Sequence, residues 1–430
     1  MGVTGAVSCW HYEAFPCGAL HGPKDIAVYN ARVPSVLESV RVLELTEALA
    51  GPYCAMLLGD LGADVVKAER VGCGDQSRTW GPPFAAGESA YFLAANRNKK
   101  SISLNYDIPA GRDILERLVA NSDVLIVNQP QLASLERRGL DPQTLRKKYP
   151  GLIYCSISGY GLQGPKAGMP GYDIIAQAEA GVMSFTGEPE GEPVRYPVAI
   201  ADMTCGIYAA LGILAALMAR EKSGQGQFLD MALFDSQLTW LINIGSNHLN
   251  AGENPQRWGN AHPSIVPYQV FGGREGRHFV VGVGTEALWM RFVGVLDAEA
   301  TLGADARFAT NASRIANRAV LIPAIETILQ MEPTSVWLER LKHADIPAAL
   351  IHTVGEAFND VQTRERGLIV ELEHPAVGIA RSIANPMNLS DTPVTYRLPP
   401  PMLGEHTEQI LHALGYADAA IAEAKAASAI

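Results

Sequence analysis

At 430 residues, with 48% apolar and 18% charged side chains, the chain has the make-up of a globular protein and room for two domains of ordinary size. Its net charge of -11 excludes a broad nucleic-acid-binding face, which needs a basic field. Uninterrupted apolar runs stay below the roughly 18 residues that cross a bilayer, so a soluble chain with no nucleic-acid or membrane partner is expected.

Residues 1–36 lack periodicity and hold Trp10, Pro16, Gly18 and Pro23. They have neither the charged start nor the apolar core of a secretory signal, and read as an N-terminal extension, either an organellar presequence or an appended segment. From residue 40 short β-branched runs alternate with helical stretches. Residues 40–45 read as a buried strand and 52–61 as a helix opened by Gly51-Pro52. Strands follow at 64–68 and 101–105, an amphipathic helix at 110–120, and further strands at 123–127 and 152–157. Such alternation implies an α/β fold with a parallel sheet, whose ligands bind beyond the carboxyl ends of the strands.

Residues 160–200, rich in Gly and Pro, read as loop. The Ala-rich stretch 203–220 reads as a buried helix rather than a membrane span, because Gly206 and Gly212 interrupt it and it ends in Arg220-Glu221-Lys222. A strand at 227–232 is next. After a Gly/Pro/Asn-rich stretch at 251–267 come a β-type run at 278–283 and helices from about 286 to 342. The tail returns to strand-like pieces such as 367–372 and closes in an Ala-rich helix. The expected organisation is a Rossmann-like large domain in two parts, 37–240 and 345–430, around a smaller inserted α+β domain at 255–342.

No G-x-G-x-x-G or G-x-x-x-x-G-K-[ST] follows the first strand, where Thr46-Glu47-Ala48-Leu49-Ala50-Gly51-Pro52 stands instead; a dehydrogenase or NTPase thereby loses its main support. The six cysteines, Cys9, Cys17, Cys54, Cys73, Cys155 and Cys205, form no C-x-x-C pair and no cluster at metal spacing. Reduced, structural thiols and a cytoplasmic location are expected, or a mitochondrial one in a eukaryote. Asp202 stands just before the apolar helix. Its ordinary reading is an N-cap; a carboxylate there is also kept ionised by the helix dipole and free N–H groups.

Several blocks in order change the balance between those readings. Leu45-Thr46 through Gly51-Pro52, Leu58-Gly59-Asp60-Leu61-Gly62-Ala63-Asp64-Val65-Val66-Lys67, Glu69-Arg70, Gly74-Asp75, Asn96-Arg97-Asn98-Lys99-Lys100-Ser101, Ser158-Gly159-Tyr160-Gly161, Gly171-Tyr172-Asp173 and Leu403-Gly404-Glu405-His406-Thr407 resemble the class III CoA-transferases, the formyl-CoA and carnitine CoA-transferase family. The likeness spans about residues 37 to 415. Blocks such as Thr79-Trp80-Gly81-Pro82-Pro83-Phe84 and Ser264-Ile265-Val266-Pro267-Tyr268-Gln269 are similar to its succinate–hydroxymethylglutarate subgroup.

The resemblance implies that Asp202 is the nucleophile, forming an acyl anhydride and then an aspartyl-CoA thioester. It implies CoA contacts at Ala48, Arg70, Leu104, Asn105, Asp107, Gln129, Arg137, Tyr172 and Asp173. Trp80 and Tyr91 would stand near the acyl group, and Gly259 and Asn260 in a mobile lid with His262 beside them, a residue more often structural than catalytic. No metal and no permanently bound cofactor are implied, since the CoA thioester is itself a substrate. The partners implied are acyl-CoA and small dicarboxylic acids (succinate, glutarate, hydroxymethylglutarate, itaconate or malate), and an interlocked homodimer whose site lies between the large domain of one subunit and the small domain of the other. Arg78, Arg97 and Arg257 are candidates to hold the distal carboxylate, because a bidentate guanidinium suits it. Two departures stand out: Gln129-Pro130-Gln131-Leu132-Ala133 replaces the family's Asn-Phe-x-Pro-Gly, and the lid block has one glycine rather than a run. Two other readings share the fold. An α-methylacyl-CoA racemase needs an Asp/His pair, but Ala201 and Met203 flank Asp202. A non-catalytic CoA-binding protein is the other.

Overall fold

The structure, a computed structural model, describes residues 35–129 and 131–430; Cys9, Cys17, Pro130 and the extension up to residue 34 lie outside the described residues. Six strands, β1 (Arg41–Leu45), β2 (Asp64–Glu69), β3 (Lys99–Ser103), β4 (Val124–Val127), β5 (Ile153–Ser158) and β6 (Phe228–Ala232), form one sheet in the order β3-β2-β1-β4-β5-β6. Every neighbouring pair is parallel. Strands such as β4 (Val-Leu-Ile-Val) and β5 are buried throughout, as a sheet covered on both faces requires. The order reverses between β1 and β4, and that reversal opens a crevice at their carboxyl ends.

One face of the sheet is covered by helix α1 (Ala50–Asp60) and the long helix α6 (Ile200–Ser223), whose Cys54, Leu58, Ala201, Cys205, Ala209 and Ile213 pack on Val42, Val65 and Ile126. The opposite face takes Ile114, Leu115 and Leu118 of the amphipathic helix α3 (Pro109–Ala120) together with Ile410, Leu411 and Ile421 from the end of the chain. Each such Leu or Ile, fully buried, contributes about 1.5–3 kcal/mol. Residues 266–348 carry a separate core around Trp289, Phe292, Leu321 and Trp337. There β7 (Tyr268–Gly272), β8 (His278–Gly282) and β9 (Ala348–Leu350) form an antiparallel sheet. An antiparallel hairpin, β10 (Ile369–His374) and β11 (Gly378–Ile383), leads back to the large sheet.

Two expectations need correction. The stretch 160–200 is not all loop: it holds the helix Asp173–Glu179 and a short one at Val182–Phe185. The helix expected at 203–220 begins at Ile200, and its face is apolar without being wholly buried, since Ile207, Tyr208, Leu211 and Met218 are exposed.

Candidate active site

The polar crevice lies where the sheet order reverses, a cavity of about 570 Å³ built from the residues that leave the strands. Thr46 and Glu47 follow β1, Arg70 and Cys73 follow β2, Leu104, Asn105, Tyr106 and Asp107 follow β3, and Asn128 and Gln129 follow β4. Of the residues expected to hold CoA, Arg70, Leu104, Asn105, Asp107 and Gln129 are thus brought together. Arg70 is exposed and pairs with Glu47 at 3.0 Å. Leu104 is buried and donates its N–H to the Glu69 carbonyl at 2.8 Å, fixing the backbone around the crevice rather than offering a polar group to it.

Arg137 does not face this crevice: it is exposed, and its neighbour Arg138 lines the cavity, paired to Asp107 at 2.7 Å and bonded to Ser134. One residue along a helix turns the side chain by about 100°, so a register not readable in the chain decides which arginine looks inward. Arg138 and Tyr106, over which it stacks at 5.7 Å, are the residues the sequence did not single out. Their signal was the i to i+1 basic pair on a short helix, visible but not oriented.

Asp202 is the third residue of α6, not its N-cap, which is Ala199. Asp173 supplies the capping carboxylate from elsewhere: its Oδ1 accepts from the Ala201 N–H at 2.8 Å and its Oδ2 from Gln177 Nε2 at 2.7 Å. That carboxylate is spent on structure, whereas Tyr172 beside it is exposed. Burial, then the negative charge of Asp173, push Asp202 up to about 7, and the Ala50 backbone N–H offsets part of the rise. The dipole argument that Asp202 is held fully ionised therefore gives way: desolvation exceeds what the helix end returns. Its carboxyl is poised to be neutral or charged near neutral pH.

Tyr91 is pushed up to about 12 by burial and then by the charges of Asp202, Asp173 and Asp75, and so stays a neutral hydroxyl facing an acidic centre. Trp80 packs edge-on against it with ring centroids 4.9 Å apart. Tyr91, Leu49 and Met203 also line an apolar cavity of about 610 Å³ on the far side of the 46–50 turn. Ala48 sits in that turn at φ 71°, with its N–H on Asp75.

The residues expected in a lid stand apart from these groups. Gly259, at φ 57°, donates its N–H to the Gly187 carbonyl at 3.0 Å. Asn260 lines a cavity beside Tyr268 and Gly282. His262 is held by a ring contact to Tyr268 at 5.3 Å, and its Nδ1 accepts from Ser264 N–H at 3.0 Å. Of the three arginines, Arg78 is bidentate to Glu69 and stacked on Phe92, while Arg97 is buried against Asp60, Ser382 and the Ile383 carbonyl. Neither guanidinium is open to a substrate carboxylate. Arg257 donates to the carbonyls of Glu188, Ser184 and Pro189, tying the block around Gly259 to the 184–189 loop. Cys73 is exposed at the crevice, and Cys54, Cys155 and Cys205 are buried thiols. Among the described residues no group of three or more His, Cys, Asp or Glu is arranged to hold a metal ion.

A parallel sheet in this order, with a cation-bearing crevice at its reversal and a perturbed carboxyl beside it, defines a doubly wound α/β enzyme. The model of CoA-transferase family III matches residues 37–407. The chain belongs to CoA-transferase family III and is an enzyme that transfers CoA. It is 40% identical over 395 residues to the human succinyl-CoA:glutarate CoA-transferase, covering 92% of this chain and 90% of that one. It is 41% identical over 381 residues to the succinate–glutarate CoA-transferase of Agrobacterium fabrum, covering 87% and 94%. Among solved structures, a CAIB/BAIF family protein from Brucella suis superposes with a TM-score of 0.80 at 39% identity, covering 88% of this chain and 99% of that one.

Proposed function

We propose that the protein moves CoA from succinyl-CoA to a small dicarboxylic acid, glutarate foremost, with Asp202 as the nucleophile. The observation that carries the reading is a carboxyl pushed up to about 7 at the start of α6, held by the Ala50 N–H of the turn whose Thr46 and Glu47 line the polar crevice. In its ionised form Asp202 attacks the succinyl carbonyl, expelling CoA thiolate and leaving a succinyl–aspartyl anhydride. The thiolate attacks the Asp202 carbonyl of the anhydride, releasing succinate and leaving an aspartyl-CoA thioester. The acceptor carboxylate then attacks that thioester, and the freed thiolate attacks the acceptor's carbonyl, so the new acyl-CoA leaves and Asp202 is regenerated. The aspartate ends as it began, and the CoA thioester is the only carrier the steps use.

A neutral Tyr91 hydroxyl near the carboxylate suits a donor to oxygen as charge builds there. Arg70 and Arg138 are the cations available to the phosphates of CoA in an otherwise acidic chain. The exposed apolar residues Leu211, Met218, Ile242 and Leu249 support a homodimer in which a second chain covers them. The test is hydroxylamine trapping and mass spectrometry of protein quenched during turnover with succinyl-CoA and glutarate. The peptide containing residue 202 should carry the hydroxamate, and Asp202→Ala should exchange no CoA. An unmodified peptide in an active enzyme would overturn the mechanism; a racemase would form no adduct at all.

A further inference from the structure

Six charged side chains are sealed under the turn between the two cavities, and the transfer steps use none of them. Glu44, Lys67, Glu69, Asp75 and Lys99 are buried, and Arg78 closes the side of the cluster. Lys67 Nζ lies 2.8 Å from both Glu44 and Asp75, and Lys99 Nζ 2.8 Å from Glu44. Three acids thus face three bases. Ion clusters like this lose much of their attraction to desolvation, and apolar residues would hold a sheet at least as well.

The contacts of the cluster point elsewhere. Four of its hydrogen bonds end on the 46–52 turn. Lys67 Nζ donates to the Thr46 carbonyl at 2.8 Å, the Thr46 hydroxyl donates to Glu44 at 2.8 Å, the Ala48 N–H donates to Asp75 Oδ1 at 3.1 Å, and Lys99 Nζ donates to the Pro52 carbonyl at 2.8 Å. This turn needs holding, because Ala48 is left-handed at φ 71°, a conformation that brings its Cβ too close to the following carbonyl oxygen. It also runs hard against α6: a Cβ built on Gly206 would meet the Ala50 carbonyl at 2.7 Å, one helical turn beyond Asp202. Ser77 locks Asp75 in place, its N–H and hydroxyl donating to the same Oδ1 at 2.8 and 2.7 Å.

We propose that Asp75, braced by Lys67, is a positioning residue: it clamps the strained 46–52 turn so that the Ala50 N–H faces the Asp202 carboxylate. The inference rests on the nucleophile assigned above. Asp75→Asn keeps an oxygen for the Ala48 N–H, whereas Asp75→Ala removes it, and both break the ion pair with Lys67. Both variants should melt at lower temperature. The rate of adduct formation on Asp202, at saturating succinyl-CoA and well below melting, should separate them. We expect a fall of about 30-fold or more in Asp75→Ala and under about fivefold in Asp75→Asn, the scale that misplacement of a reacting group produces. Equal slowing in the two, or a rate in Asp75→Ala within about threefold of the wild type, overturns the proposal.

If a variant fails to fold, hydrogen–deuterium exchange of the wild-type peptide covering 46–52 decides. Protection comparable with β1 supports the clamp, and exchange at the rate of an exposed loop defeats it. That measurement uses no substrate. A wild-type protein that forms no adduct would defeat the proposed function instead, and exchange would still decide on the clamp.

Discussion

Asp202 governs behaviour at the scale of single residues. Because burial and Asp173 push its carboxyl up to about 7, and because only the ionised form attacks, kcat/KM should fall about tenfold per pH unit below that value and level off above it. A pH–rate profile with succinyl-CoA checks this. The same shift acts on stability with a definite sign. A carboxyl whose folded value lies above its ordinary 3.8 disfavours the folded state once it must ionise, fully above pH 7 and not at all below about 4. Asp202→Asn should therefore stabilise the protein by roughly 1–2 kcal/mol at pH 8, less than the full shift implies because the side chain is partly solvated. The gain should vanish by pH 4 in urea melts. Arg97 behaves oppositely. Arg97→Met strands Asp60 without its bidentate partner and should cost about 3–5 kcal/mol with no specific effect on substrate affinity.

Elements explain what the sequence could and could not reveal. The strands of the sheet were legible because buried parallel strands are short β-branched runs, and helices such as α3 because Ile114, Leu115 and Leu118 recur on one face. The helix at Asp173–Glu179 was not legible. It is seven residues long, begins directly after Gly171-Tyr172, and owes its place to Asp173, which accepts from the Ala201 N–H at the start of α6 and is itself held by Gln177. The same gap in reach hid the true partners of Arg78 and Arg97, which are distant carboxylates no local pattern announces. Asp202 is legible through family likeness, but its weakened acidity comes first from burial and then from Asp173, 29 positions earlier in the chain and adjacent only in the fold. The α1–α6 contact makes its own prediction. Gly206→Ala places a methyl 2.7 Å from the Ala50 carbonyl, where backbone cannot yield cheaply. Stability should drop by about 1–3 kcal/mol and kcat more than in a matched surface Gly→Ala control.

At the scale of the molecule, the apolar residues left open on α6 and beyond it set the expected assembly. Sedimentation equilibrium at micromolar concentration should give twice the 46.1 kDa chain mass, and Leu211→Glu with Met218→Glu should shift the protein toward one chain.

The stitching of the sheet to its late segments bears on synthesis. Asn98, next to β3, donates its side-chain amide to the Thr395 carbonyl, and its N–H goes to the Leu398 carbonyl. His406 donates its N–H to the Ser101 carbonyl, and Asn105 donates to the Ala429 carbonyl. An edge that early residues form is thus completed by residues about 300 positions later in the chain. A nascent chain stalled before residue 395 should remain protease-sensitive around β3 on the ribosome, and a premature stop there should yield aggregate rather than a smaller working enzyme.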